Sequence, residues 1–440
     1  MHLLLYLVLI LCLLKVIYPA SPSLVLLSLY ILSLGGGYLI GYDHPLDTYP
    51  AMFNFLFVAL TLTAFIAPWS RFTYRLEIDE PDPQKLKYFT NVLLGLNAVI
   101  FYNFSKVIYY AFTNVTDYSA YKNLGESSAL VATMPINGQL LIKAIYLHPT
   151  AYFLIPLHFY YLKKNNYLYA VLTITLSLNI VLNGLMVFSR SGFMTFLVSY
   201  AFFLPFFYRK LSRRARTTIN VMALLVLVVL GTFFYVISVN RFTEVLAYQR
   251  AVASQSLITN PVVFSLFDYF SQWYRNGFEV MKLYSFEPLN GRLSFPIVLL
   301  FAGKLHLIDY NPDSIVPLLF SLWGNYSSLF NGLITNLLFD FGYSGTLLFI
   351  AVYWLILKKI SPINGKLPFN HFLVLGVAFV LPAMGIFGSE MNSGYYNLAI
   401  IYSVPTYLYM KARRRGRRTQ QDSRADVTHN LLTGGTDGAR

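Results

Sequence analysis

The chain has 440 residues, of which 56% are hydrophobic and only 12% charged, and its mean hydropathy is +0.55. A soluble domain carries roughly 25% charged residues and has no use for repeated apolar runs near twenty residues long, so a soluble globular protein is excluded and a polytopic membrane protein is indicated. The net charge of +14 does not imply nucleic-acid binding, because many of the basic residues sit in short loops and a C-terminal tail, where they orient helices in a bilayer.

At 1.5 Å rise per residue, about twenty apolar residues cross a membrane. Such runs predict spans near 2–18, 22–42, 51–68, 89–112, 144–162, 167–188, 193–208, 219–239, 333–357, 369–388 and 394–410. The fold class is therefore all-α, with about eleven transmembrane helices. The first run has no basic residue ahead of its apolar core, and its one charge, Lys15, follows that core. This reads as an uncleaved helix with its N-terminus outside, not as a signal peptide. Lys15, the loops holding Arg71, Arg75, Lys85 and Lys87, Lys163–Lys164, Arg209–Arg216 and Lys358–Lys366, and the tail from Lys411 hold 23 of the 33 Lys and Arg. The positive-inside rule makes these segments cytoplasmic and the C-terminus internal. Residues 1–418 form one membrane domain, and the polar segment 419–440 is expected to be a disordered cytoplasmic tail. The lone Cys12 permits no intramolecular disulfide.

On this topology a modest loop at 113–143 and a long polar segment at 240–331 lie outside. The long segment interleaves Arg241, Arg250, Arg275, Lys282, Arg292 and Lys304 with Glu244, Asp268, Glu279, Glu287, Asp309 and Asp313, and carries one histidine, His306. Phe264, Phe267, Phe270 and Tyr274 recur at three or four residues and predict an amphipathic helix on or near the bilayer surface. The apolar stretch Phe295–Ala302 is too short to span and reads as re-entrant or interfacial. Prolines at 261, 288, 296, 312 and 317 divide the segment into short helices with ordered connections.

Nucleotide-binding glycine loops, clustered metal ligands and a Gly-x-Ser-x-Gly nucleophile elbow are all missing from the sequence. No cofactor and no metal are expected. Extracytoplasmic arginine is the distinctive chemistry, since guanidinium is a fixed fork of donors that fits phosphate oxygens and stays charged. Arg190 lies in Ser189-Arg190-Ser191-Gly192 between two apolar helices; it either ties them together at the interface or binds an anion there. Arg275, Glu279 and Lys282 fall on one helix face, as simple helix support or as a pyrophosphate and carboxylate site. Arg241 and Arg250 follow the eighth span, and Arg292 precedes Gly303 by eleven residues. His306 is a base candidate near neutral pH or a polar surface group; Asp268, Glu279 and Glu390 are its rivals. Asp340, within an apolar helix ahead of Phe341-Gly342-Tyr343-Ser344-Gly345, is a catalytic candidate or a bundle-holding ion-pair partner. Tyr269, Trp273, Tyr274, Tyr284, Trp323 and Tyr326 are placed to stack on sugar rings or to pack in the membrane interface.

With its Ser189–Gly192 turn, its single large outer loop with spaced arginines, and the segment NGLITNLLFDFGYSGTLLF from Asn331 to Phe349, the chain resembles the Wzy-type O-antigen polymerases. The resemblance implies a GT-C-like membrane glycosyltransferase related to the O-antigen ligases and located in the bacterial inner membrane, its active site facing the periplasm. Such enzymes move a growing glycan from undecaprenyl pyrophosphate onto a new lipid-linked repeat unit. Lipid-linked oligosaccharides and membrane lipids are then the partners, with a chain-length regulator and a flippase as further candidates. On this reading Arg190, Arg241, Arg250, Arg275 and Arg292 bind pyrophosphate, and Glu279, His306 and Asp340 are the catalytic candidates. The alternatives are a ligase of the same fold and a lipid-linked oligosaccharide flippase or transporter; a transporter would show repeat symmetry and mid-membrane polar residues.

Overall fold

The computed structural model of the protein describes residues 2–42, 48–114, 138–186, 189, 191–221, 256–282, 287–311, 314–324 and 330–411, with isolated positions at 223, 224, 228 and 232. These residues are almost entirely helical. The first half comprises α1 (His2–Ile17), α2 (Pro22–Leu39), α3 (Tyr49–Ile66), α4 (Pro83–Asn114), α5 (Gly138–Leu147), α6 (Leu154–Lys163), α7 (Tyr167–Ser177), α8 (Asn179–Leu185) and α9 (Ser191–Tyr208). The polar insert contributes α10 (Pro261–Lys282), α11 (Pro296–Lys304) and α12 (Ile315–Trp323). The chain then returns through α13 (Leu333–Lys359), α14 (Phe369–Ala383) and α15 (Gly394–Lys411).

Eight helical stretches among the described residues are long and apolar enough to cross a membrane. They are α2, α3, α4, α5 with α6, α7 with α8, α9, α13 and α14. Of the eleven expected spans, the first is the shorter apolar helix α1, and the last is α15, whose sequence is interrupted by tyrosines, Asn397, Ser403 and Thr406. The span expected at 219–239 falls largely outside the described residues.

Helix starts follow local sequence. Proline occupies the first turn of α2, α3 and α11, where its missing N–H costs nothing. Asp82 Oδ1 accepts from the backbone N–H groups of Gln84 and Lys85 at 3.0 and 3.3 Å. Asn260 does the same for Val262 and Val263 at 2.9 and 3.1 Å. Both side chains satisfy N–H groups that the helix leaves without partners.

The bundle is organised around α14, where all residues but Ala378 are buried. Pro382 lies inside this helix and cannot donate to the carbonyl four residues back. The Tyr353 hydroxyl of α13 donates to that carbonyl, Ala378 O, at 3.1 Å. Tyr396 of α15 donates to Val377 O at 2.7 Å, and Tyr30 of α2 to Pro382 O at 2.9 Å. Three helices are thus pinned to the proline-containing end of the central one. A second polar knot joins α4 to its neighbours: Asn97 Nδ2 donates to Thr150 at 3.1 Å, and Asn179 Nδ2 to Asn97 O at 2.9 Å. Such bonds hold helices together where apolar burial gives little preference for one helix neighbour over lipid.

The amphipathic helix expected in the insert is α10, and thirteen of its 22 residues are buried. It is docked along α2 instead of lying loose on a surface. Ser33 Oγ donates to Phe270 O, Ser271 Oγ to Ser33 O, and Trp273 Nε1 to Ser33 Oγ, each at 2.6 Å. Gly36 allows this approach, because a Cβ there would sit 2.6 Å from the Phe267 ring. In α13 the helix breaks at Gly342, whose φ of 67° lies in the left-handed region that favours glycine. The eight residues from Leu333 to Asp340 ahead of the break are all buried.

The basic loops share one end of the bundle. Strand β1 (Glu77–Ile78) pairs in parallel with β2 (Lys366–Leu367). Glu80 meets Lys163 at 3.3 Å and Lys164 at 3.0 Å, Lys366 meets Glu77 at 3.3 Å, and Lys210 Nζ donates to Leu76 O at 3.0 Å. Four loops that the sequence assigns to one side of the membrane therefore touch one another.

Candidate functional site

At the other ends of α9 and α14 the chain closes a pocket of about 160 Å³, lined by Ser191, Met194, Tyr269, Phe330, Met384, Phe387, Gly388, Ser389 and Glu390. Each wall has a local cause. The turn into α9 is set by backbone contact between α8 and α9: a Cβ on Gly192 would lie 2.3 Å from the Ile180 carbonyl oxygen. Ser189 N donates to Gly184 O at 2.8 Å, and the Ser189 and Ser191 hydroxyls are 2.9 Å apart. Tyr269 comes from α10, its ring centroid 4.8 Å from that of Phe330 and 5.5 Å from that of Phe387. Phe330 and Phe387 are in turn 5.5 Å apart, so three aromatic rings form one mutually packed wall.

Glu390 begins a short 3-10 turn, Glu390–Asn392, between α14 and α15. It is half-buried; its backbone carbonyl accepts from Ser393 N at 2.9 Å, while its carboxyl makes no hydrogen bond or ion pair among the described residues. Burial pushes its carboxyl up to about 7, because loss of water penalises the charged form. Ser389 beside it is buried, and its hydroxyl has no hydrogen-bond partner among the described residues. An unsatisfied buried hydroxyl costs about 1–3 kcal/mol. A raised carboxyl and an unmatched hydroxyl on one concave wall make this pocket the candidate site.

Of the described residues singled out from sequence, Tyr269 and Glu390 line this pocket, whereas Asp268, Arg275, Glu279, Arg292, His306 and Asp340 do not. Arg190, Arg241 and Arg250 lie outside the described residues. Arg275 turns away from Glu279 and stacks on Tyr42, its guanidinium carbon 4.5 Å from the ring centroid. Arg275 Nη1 donates to the Tyr42 hydroxyl, which donates to Asp268 Oδ1; the Arg275–Asp268 separation is 3.7 Å. Gln272 Nε2 donates to Asp268 Oδ2 at 2.8 Å. Glu279 pairs with Lys282 at 2.8 Å, so the expected trio is divided between two partnerships.

Asp340 is fully buried at the end of the first half of α13. Oδ1 accepts from Leu293 N at 3.2 Å and Oδ2 from Ser294 N at 2.8 Å. Asn397 Nδ2 donates to Ser294 O at 3.1 Å. The carboxylate therefore fastens the turn that carries the exposed Arg292. Tyr310 feels the charges of both Asp340 and Arg292, although burial is the main reason its hydroxyl is held above its ordinary value. His306 is exposed, with φ of 55°, and ends α11 by donating its N–H to Gly303 O at 2.9 Å.

Among the described residues outside the membrane spans, Glu390 carries the most strongly shifted carboxyl, yet the sequence marks it only as a rival base. The available signal was its isolation: it is the one acid between Asp340 and Asp422. Among the described residues no group of three His, Cys, Asp or Glu is gathered to hold a metal ion. Comparison with known proteins finds no matching family model, no matching curated protein and no matching solved structure.

Proposed function

We propose that the protein is a membrane glycosyltransferase that polymerises lipid-linked oligosaccharide repeat units at the outer face of a bacterial inner membrane, with the Glu390 pocket as its reaction centre. The observation that carries this reading is a partly buried carboxyl, poised near neutrality, in a pocket at the end of the bundle opposite the basic loops. A general base works best with a pKa near the working pH. In the proposed step Glu390 takes the proton of an acceptor hydroxyl, and the oxygen attacks the anomeric carbon of the donor sugar. The bond from that carbon to the pyrophosphate oxygen breaks, and the electron pair leaves with undecaprenyl pyrophosphate.

The arginines supply the other half of the chemistry. Charge develops on the leaving pyrophosphate in the transition state, and preorganised guanidinium groups stabilise it there. Arg292 and Arg190 are the first candidates, the former because its turn is anchored by Asp340, the latter because Ser191 next to it lines the pocket. Arg275 is already engaged with Asp268 and Tyr42, and it serves as a second-line anion contact. Asp340 is then a positioning residue, and Glu279 and His306 have no required part.

Deletion of the gene followed by gel analysis of surface lipopolysaccharide tests the reading. A polymerase mutant keeps core plus one repeat unit. Bare core would replace this reading with a ligase or a flippase, and an unchanged ladder would reject all three.

A further inference from the structure

We infer that the pocket between Ser191 and Gly388–Glu390 is a subsite for a single neutral pyranose ring, the ring that presents the acceptor hydroxyl. This rests on the glycosyltransferase reading and specifies what that site takes. The size comes first. A cavity of about 160 Å³ is on the scale of one sugar ring and not of two. It is also smaller than the ~300 Å³ at which sites for drug-sized ligands begin.

The chemistry of the walls fits the same ligand. Tyr269, Phe330 and Phe387 form a continuous aromatic side, suited to the C–H face of a pyranose ring. Ser191, Ser389 and Glu390 supply polar groups on the same cavity. Ser389 Oγ is the sharpest of these, being buried and without a hydrogen-bond partner among the described residues. Glu390 adds a carboxyl that accepts from ring hydroxyls and repels a second carboxylate. Tyr152 and Tyr396, the titratable groups that sense Glu390 from behind it, carry no positive charge, and neither does any described residue lining the cavity. A wall of this composition discriminates by hydroxyl position through its hydrogen-bonding groups.

Saturation-transfer NMR on the full chain in lipid nanodiscs tests this directly. The probes are the methyl glycosides of glucose, galactose, mannose and N-acetylglucosamine, with methyl glucuronide as the acidic comparison. At least one neutral glycoside is expected to show transfer to its ring protons above that of protein-free nanodiscs. Ser191→Leu, at an exposed position where a larger side chain narrows the mouth, and the isosteric Glu390→Gln are each expected to lower that transfer several-fold. At about pH 8, where Glu390 is ionised, the glucuronide is expected to bind more weakly than the neutral glycosides. Absence of transfer from every neutral glycoside, equal transfer in both variants, or equal binding of the glucuronide would overturn the proposal. Binding together with an unchanged lipopolysaccharide ladder on gene deletion would leave the subsite standing and reject the polymerase reading. A lost ladder without pyranoside binding would do the reverse.

Discussion

The two ends of the helix bundle handle charge in opposite ways. At the basic end, Glu80 is half-exposed between Lys163 and Lys164. Burial works against its ionisation, but hydrogen bonds from Lys164 and Tyr160 and the charge of Lys163 hold it below the ordinary carboxylate range. At the other end Asp268 and Asp340 are buried and satisfied by hydroxyl, amide and backbone N–H donors, while the Glu390 carboxyl makes no such bond among the described residues. Exposed pairs of opposite charge are screened and contribute little. A desolvated carboxyl without an ion-pair partner shifts its proton affinity and becomes available for chemistry. Charge count therefore groups the loops that meet at one end of the bundle, whereas charge environment singles out the carboxyl at the other.

The largest expected effect that separates the two ends is on activity. Glu390→Gln keeps the shape of the pocket and removes the proposed base, and on the polymerase reading it should reduce polymer formation in membranes by about 10²–10⁴-fold. Wild-type activity should rise with pH through about 7, and the residual activity of the variant should lack that step. Stability should move the other way. Between the ordinary glutamate value and about 7, the folded chain keeps a proton that the unfolded chain has lost, so stability falls as pH rises across that window. The gain in melting temperature from Glu390→Gln should thus be larger at about pH 8 than at about pH 5. An equal gain at both values would remove Glu390 from the contrast.

Gly192→Ala should cost about 3 kcal/mol, because its Cβ would meet the backbone oxygen of Ile180, and backbone cannot repack as a side chain does. Fluorescence-detected size exclusion should show loss of the folded species; a normal profile would mean that α8 and α9 separate freely. Asp340→Asn should cost about 1–3 kcal/mol, since the amide can turn only one acceptor oxygen toward the N–H groups of Leu293 and Ser294. Its activity should fall together with that of Arg292→Ala, and the double variant should be no worse than the poorer single one. Additive losses would separate the anchor from the arginine. At the basic end, Glu80→Gln should change stability by less than about 1 kcal/mol and leave the polysaccharide ladder intact. A large effect there would end the distinction between the two ends.

Much of the scaffold was legible because it follows from local rules. Apolar runs of spanning length account for the eight membrane-length helices, and Asn260-Pro261 announces the start of α10. Shared sign grouped the basic loops that the structure brings into contact. The Ser189–Gly192 turn was recognisable as a feature, although the reason for its glycine, contact with Ile180 O, is tertiary. The site was less legible for a similar reason. Arg275 and Glu279 satisfy the spacing of a helical ion pair, but Tyr42 and Asp268 offer the arginine a closer, partly buried alternative once α10 lies against α2. At Gly342 the φ of 67° makes the break that separates the buried half-helix from the rest of α13.

By itself the sequence determined the class of this protein, an all-α membrane bundle, because hydrophobic run length and the scarcity of internal charge are one-dimensional properties that a bilayer reads directly. It also determined which loops carry positive charge. Tertiary structure alone decided which polar side chains lose water and which find partners. That decision depends on α10 packing onto α2, on three tyrosines gripping the proline-containing end of α14, and on the turn after α14 closing beneath Tyr269 and Ser191. Glu390 is an ordinary glutamate in the sequence, and its proton affinity is set by that enclosure.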